Sequence, residues 1–362
     1  MGLLKLNILL LLFLYMGAAW CGGPPVSQCD HVDAGAIRWD AWHEDDSTVA
    51  QYIESSLGSQ RWLERWPFFF TNLSGDLDFN ETLAGVIPAE NALAQGAGID
   101  YWAFVFYGGA SPMGRALSIY LQDNATKPKF ALILSAGRMS ESVAGESLIQ
   151  EAVVLMRDKS YLRDATQSPI VFVMLTGSVE EKDWMARQIR AITSLKEKVK
   201  NAGDKSPNFV VMAFNPTYAS LVADQVNTSL ISSYASHGAQ DGGSYQDLAQ
   251  GAEGFWERQA STGKGVVPIV MTGWDPRPRS DKPPPWDKKP PIKEVHYQHG
   301  KPEQIAAHAG KAIEWAKQKP GGQCLILIYA WNEFDEGGWL APTVGEGLSR
   351  LRALTDVLKI NY

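Results

Sequence analysis

Leu325-Ile326-Leu327-Ile328-Tyr329-Ala330-Trp331-Asn332-Glu333-Phe334-Asp335-Glu336-Gly337 is the stretch on which the reading of this 362-residue chain turns. Its first half is continuously apolar but far shorter than the roughly 20 residues of a membrane span. Its second half switches abruptly to an amide and three carboxylates. A short, unbroken apolar run of this kind fits a parallel strand buried on both faces, with polar residues appearing where the strand leaves the sheet.

Seven more such runs precede it, at 34–39, 101–107, 130–135, 170–175, 209–214, 230–234 and 266–271. Helical periodicity fills many of the gaps, at 141–157, 180–199, 245–259, 303–317 and 347–358, with Ser47 and Ser178 as expected N-caps. Eight strands, each followed by a helix or long loop, predict a (β/α)8 TIM barrel. It is expected as a single domain with long βα loops over residues 30–360. An open doubly wound sheet is the alternative, but no Gly-rich phosphate turn follows the first strand. The run 66–70 reads as an inserted strand or hairpin inside a long first connection.

Residues 1–21 read as a signal peptide: Lys5, an apolar run from Ile8 to Tyr15, then Gly17, Ala18 and Ala19. An uncleaved anchor is the competing reading, and the short apolar run counts against it. Sequons at Asn72, Asn80, Asn124 and Asn227 agree with passage through the secretory lumen or secretion. Cys29 and Cys324 are the clearly mature cysteines, either two free thiols or one bridge. Barrel closure makes the first and eighth strands neighbours. Each cysteine lies just before one of them, so a bridge would staple the seam. A net charge of −7 gives no global reason to seek nucleic acid or anionic lipid. No membrane partner is expected once the leader is removed, and the mature chain is expected as a monomer.

Barrel chemistry sits at the C-terminal ends of the strands. Those ends carry Trp39, Trp42 and His43; Tyr107; Tyr234; Trp274, Asp275 and Arg279; and Trp331, Asn332, Glu333 and Glu336. Carboxylates flanked by rings suit glycoside chemistry, where one acid protonates a leaving oxygen and another assists at the anomeric centre. Glu333 and Glu336 are the expected catalytic pair, three residues apart and roughly 5–6 Å from each other if the backbone turns helically there. The bland alternative is that Asp335 and Glu336 cap a surface loop while Glu333 pairs with an arginine. His43-Glu44 lacks the second histidine of a zinc helix, and no metal or organic cofactor is expected.

The segment from Tyr329 to Gly337 resembles the W-N-E-W-x-E-G motif of glycoside hydrolase family 99-like proteins, which include endo-α-mannosidases and the WbsX-like group. Gly98-Ile99-Asp100-Tyr101-Trp102-Ala103-Phe104 is similar to the family's second strand. Gly273-Trp274-Asp275-Pro276-Arg277-Pro278-Arg279 is similar to its G-W-D-x-x-P-R segment, and 34–42 matches the first strand loosely. The resemblance spans roughly residues 34–345. It departs at Phe334, where the family has Trp, and at Ala341, where an acid is common; the Pro-rich loop 275–300 looks specific to this chain. That loop forms either a cleft wall or a solvated surface.

The resemblance implies a retaining glycoside hydrolase acting on an α-linked oligosaccharide or polysaccharide, mannan-like or related. It assigns Glu333 as base on the sugar's own 2-hydroxyl and Glu336 as acid and then base. Trp39, Trp42, His43, Tyr107, Tyr234, Trp274, Asp275, Arg279, Trp331 and Asn332 are the expected substrate-binding residues. A glycosyltransferase-related polysaccharide enzyme and an inert carbohydrate-binding barrel are the alternatives.

Overall fold

The computed structural model describes residues 29–42, 47–70, 83–238, 240–285, 295–319 and 324–360. Its main sheet is entirely parallel. The strands are β1 (Asp33–Arg38), β2 (Tyr101–Val105), β3 (Lys129–Ser135), β4 (Ile170–Met174), β5 (Asn208–Met212), β6 (Leu230–Ser232), β7 (Gly265–Val266), β8 (Ile269–Met271) and β9 (Leu325–Tyr329). They lie in the order β7-β6-β5-β4-β3-β2-β1-β9-β8. Eight apolar runs become nine segments because Pro268, which has no N–H, interrupts the seventh.

That interruption joins the two ends of the sheet. β7 pairs with β6, while β8, two residues further along, pairs with β9. Between them, the Val267 N–H donates to Ile231 O (3.0 Å), and Pro268 O accepts from Leu327 N (3.0 Å). The sheet therefore curls round on itself in a TIM-barrel-like α/β fold. Strand interiors are fully buried, and within β1 packing is tight at Gly35. A Cβ there would meet the Tyr101 ring at 2.1 Å. The ring crosses that gap and donates its hydroxyl to Ile326 O (2.8 Å).

Helices cover the outside: α1 (Thr48–Leu57), α2 (Leu83–Ala97), α3 (Arg115–Gln122), α4 (Ala136–Met139), α5 (Val143–Leu155), α6 (Trp184–Asn201), α7 (Pro216–Val226), α8 (Tyr245–Ala260), α9 (Arg277–Asp281), α10 (Pro302–Gln318) and α11 (Ser349–Ile360). In α6 the buried residues Trp184, Gln188, Ala191, Ile192, Leu195 and Val199 form one stripe at helical spacing. Ser47 caps α1 by accepting from Ala50 N (3.1 Å), and Ser244 with Asp247 closes a capping box on α8.

Two expectations are corrected. Ser178 caps no helix: its hydroxyl accepts from Glu180 N within a turn, and α6 begins only at Trp184, behind Asp183 in a left-handed conformation. The 66–70 run is not a strand. It holds a 3-10 turn at Phe68–Phe70 beside a second at Gln60–Arg65, because Trp62 and Trp66 must turn inward and bury their rings.

Cys29 and Cys324 form a disulfide with Cα atoms 5.7 Å apart, 295 residues apart in sequence. It lies at the N-terminal ends of the paired strands β1 and β9 and ties the chain's first strand to its last. Among the described residues no helix is long and apolar enough to cross a membrane. The leader segment, Asn72 and Asn80 lie outside the described residues; Asn124 and Asn227 are exposed.

Candidate active site

β9 delivers the motif. After Tyr329 the chain passes through buried Ala330 and Trp331, then pairs Asn332–Glu333 antiparallel with Gly338–Trp339 around the tight turn 334–337. The turn is closed by Glu336 N donating to Glu333 O (3.2 Å) and completed by Gly337 at φ 80°. A second glycine, Gly273, lets the segment after β8 approach: a Cβ there would sit 2.0 Å from Gly337 O. Asp275 N consequently donates to Glu336 O (2.6 Å), which locks the loop carrying Arg279 onto the turn carrying the glutamates.

Each glutamate has its own tyrosine donor. Tyr234, two residues past β6, donates its hydroxyl to Glu333 Oε1, and Tyr329 at the end of β9 donates to Glu336 Oε2. The two phenol rings meet edge to face, with centroids 5.7 Å apart. A single guanidinium spans both acids. Arg279 Nη1 pairs with Glu336 Oε1, Nη2 stands 3.7 Å from Glu333 Oε2, and Nε donates to Asp335 Oδ2 at 2.7 Å. Its planar head lies 5.3 Å over the Trp39 ring.

Three carboxylates thus share one cation. Glu333 is 2% exposed, and its Oε2 has no hydrogen-bond partner. Burial first, and then the neighbouring charge of Glu336, push its carboxyl well above the ordinary range; Arg279 and the Tyr234 bond oppose this, and Asp335 adds to it. Burial likewise raises the Tyr234 and Tyr329 phenols, and the facing carboxylates raise them further, so both remain donors. Arg279 loses by desolvation but is stabilised more by Asp335, Glu336 and Glu333, and remains firmly charged.

Tyr107, Tyr234 and Trp274, all half-buried, stand around this cluster. Tyr107 accepts from Trp39 Nε1 (3.2 Å) and lies under the exposed Arg138 (4.8 Å), while Trp274 stacks on exposed His237 at 4.4 Å. These are the surfaces on which a sugar ring could lie.

Other sequence-named residues stand behind this lining. Asn332 is buried and fully engaged: its amide donates to Asp40 Oδ1 (3.0 Å) and accepts from Trp39 N (2.8 Å), and its carbonyl takes the Trp42 indole (2.8 Å). Trp42 packs edge-on against Phe334, and Trp331 packs against Trp102. Arg38 secures Asp40 (2.7 Å) and Glu90 (2.8 Å). Asp275 is consumed by Arg65 (2.5 Å) and by Arg277 (2.6 and 2.8 Å), with His299 at 3.5 Å. His43 lies outside the described residues.

Sequence reasoning did not single out Tyr329, and it placed Asp335 at the rim without a catalytic or binding role. Tyr329 reads as the last member of a core strand, and Asp335 as a capping acid; only the fold turns both toward Glu336 and Arg279. Among the described residues one grouping, His31, Asp33 and Asp100, has metal-like spacing. It lies at the opposite, N-terminal ends of β1 and β2, and Asp100 there accepts from Ala34 N (2.8 Å).

Comparison with known proteins bears on the family and the fold. The family model described as "Glycosyltransferase WbsX" matches residues 133–354, which include the end of β3, all of β4 to β9, Arg279 and the glutamate turn. A glycoside hydrolase family 99 endo-α-mannosidase from Bacteroides thetaiotaomicron, solved with bis-tris-propane, is similar at TM-score 0.55 and 13% identity, covering 92% of this chain and 99% of that one. A structure described as a glycoside hydrolase-like protein is similar at TM-score 0.60 and 12% identity, covering 93% and 97%. At such identities the likeness is one of fold. No curated protein matches. With the model match covering more than half its length, the chain belongs to the WbsX family and has the fold of the family 99 glycoside hydrolases.

Proposed function

We propose that the protein is a secreted, retaining glycoside hydrolase, built as a single (β/α)8 domain, that cleaves α-linked glycans of the mannan type or a related polysaccharide without metal or cofactor. The observation that carries this reading is the pair Glu333 and Glu336, both touched by one guanidinium yet each held by a separate tyrosine. Glu333, buried and short of positive charge, takes the proton of the sugar's 2-hydroxyl. Its raised proton affinity makes it a stronger base than an exposed carboxylate. The freed 2-oxygen closes on the anomeric carbon, and Glu336 gives its proton to the departing glycosidic oxygen. Glu336 then takes a proton from water, which opens the anhydro ring at the anomeric carbon, while Glu333 returns its proton to the 2-oxygen. Two displacements at one carbon retain its configuration.

Tyr107, Trp274 and His237 form the sugar-stacking wall in this scheme, and Trp39 orients Arg279. The leader at 1–21 supports export. The disulfide and the exposed sequon residues Asn124 and Asn227 agree with an oxidising lumen, where glycans at Asn72, Asn80, Asn124 and Asn227 are expected. The enzyme acts as a monomer on its glycan.

A screen on α-mannan, yeast mannan and algal and animal polysaccharides tests the reading, with NMR of the newly formed anomer. Release of α-configured ends by the wild type, and none by Glu333→Gln or Glu336→Gln, is expected. Full activity in either variant contradicts the assignment. The family model's description favours a second reading, transfer from a sugar nucleotide. Calorimetric binding of UDP- or GDP-sugars would support it, and glycan binding without cleavage would leave a carbohydrate-binding barrel.

A further inference from the structure

Of the two residues between the glutamates, Phe334 packs against Trp42, and Asp335 is unaccounted for by their chemistry. Asp335 is fully buried, and one of its oxygens, Oδ1, has no hydrogen-bond partner. Burying a carboxylate is costly unless a cation compensates it, and the cation here is Arg279, engaged through Nε at 2.7 Å. Arginine ordinarily grips one carboxylate with two parallel N–H groups. Arg279 does not: it gives a different nitrogen to each of three acids. A free arginine facing Glu336 would be expected to rotate into the two-pronged grip and leave Glu333.

We propose that Asp335 is a positioning residue that holds Arg279 by Nε so that its two terminal nitrogens are divided between Glu333 and Glu336. The inference rests on the glycosidase reading and names what sets the charge balance of its pair. The groups facing Glu333 are Tyr234 beyond β6, Tyr107 beyond β2, Tyr329 at the end of β9, Arg279 from α9, and Asp335 and Glu336 from its own turn. Two roles for Asp335 then predict opposite signs. If it acted by charge alone, removing that charge would ease ionisation of Glu333 and move the acidic limb of the rate profile to lower pH. If it positions Arg279, its loss withdraws the guanidinium from Glu333 and moves the limb to higher pH.

The test combines crystal structures of wild type and Asp335→Asn with pH profiles of kcat and KM on whichever screened polysaccharide the wild type cleaves. Expected in Asp335→Asn are Arg279 turned two-pronged onto Glu336, an acidic limb displaced upward, and kcat down about 100-fold with KM little changed. Asp335→Glu, which retains a carboxylate for Nε, should recover most of kcat. Arg279→Lys supplies a point charge that cannot be divided, so it should reproduce the upward limb, and combining it with Asp335→Asn should add little. Circular dichroism identifies any variant that fails to fold; if Asp335→Asn does, the upward limb in Arg279→Lys and the partial loss in Asp335→Glu carry the test. A guanidinium still divided between the glutamates in Asp335→Asn, or a limb displaced downward, overturns the proposal. A wild type that cleaves none of the polysaccharides sinks the glycosidase reading instead, while the crystal structures decide the role of Asp335 independently.

Discussion

Two buried acidic centres lie side by side on the rim, and they are balanced in opposite ways. Asp275 has two arginines, Arg65 and Arg277, bonded to one carboxylate. Glu333, Asp335 and Glu336 have one arginine among three. Burial pushes both kinds of carboxyl upward. At Asp275 the bonds from Arg277, His299 and Arg65 outweigh burial and hold the group well below its ordinary range; at Glu333 burial and Glu336 prevail, and the group is raised. An acid surrounded by excess cation is fixed as a charge and serves the architecture, since it ties the first connection to the seventh. An acid deprived of cation is one whose proton can be exchanged, as the proposed reaction requires of Glu333.

The largest expected effect separates the two centres by activity. Glu333→Gln or Glu336→Gln should lower kcat/KM about 10²–10⁴-fold on a cleaved glycan with the fold intact, measured by reducing-end release. The counterpart is a stability loss. Asp275→Asn leaves Arg65, itself fully buried, without the carboxylate that balances its charge and should cost about 3–5 kcal/mol in denaturant unfolding. Breaking the Cys29–Cys324 staple in the double serine variant should cost about 2–5 kcal/mol, with kcat per folded molecule unchanged because the bridge lies at the far end of the strands.

Smaller effects sharpen the contrast. Tyr234→Phe removes a donor that favours ionised Glu333, so the acidic limb of kcat/KM should move to higher pH, with about a tenfold loss below it. Stability against pH should slope in opposite directions at the two centres. Asp275, lowered on folding, contributes stability that is present above the unfolded value near 3.9 and lost as pH falls below it. Glu333, raised on folding, contributes a penalty that is absent below the unfolded value near 4.3 and grows as pH rises above it. Thermal unfolding of Asp275→Asn and Glu333→Gln against wild type from pH 3 to 7 checks both signs. Asp275→Asn should begin to narrow its gap to wild type only at the acidic end of this range, whereas Glu333→Gln should gain on wild type as pH rises.

Much of this was legible in the residues. Unbroken apolar runs such as Leu325 to Tyr329 located the strands, because only parallel strands covered on both faces are written that way. Cys29 and Cys324 stand just before the first and last strands, so closure brought a seam bridge within reach and left two free thiols as the other reading. Helix α2 was missed, since Pro88 interrupts its pattern although the helix continues through it. The split of the seventh strand at Pro268 was hidden because each half pairs with a different neighbour.

Within the site, Glu333 and Glu336 were visible as a spacing, but their environments were not. Tyr234 and Tyr329 reach them from 99 and 7 residues away along the chain. Asp275 and Asn332 read as substrate contacts from their place after strands, yet their polar atoms are bonded inward, to arginines and to Asp40. Which way a rim side chain faces is decided by close approaches such as Gly273 against Gly337, and these depend on three-dimensional contact rather than local pattern.

The most direct test of this division is a paired measurement of melting temperature and kcat/KM for Glu333→Gln and Asp275→Asn on the glycan the wild type cleaves. The account predicts that Glu333→Gln melts at or above wild type and is inactive. It predicts that Asp275→Asn melts several degrees lower and retains activity in proportion to its folded fraction. An active Glu333→Gln, or an Asp275→Asn of wild-type stability, would contradict it.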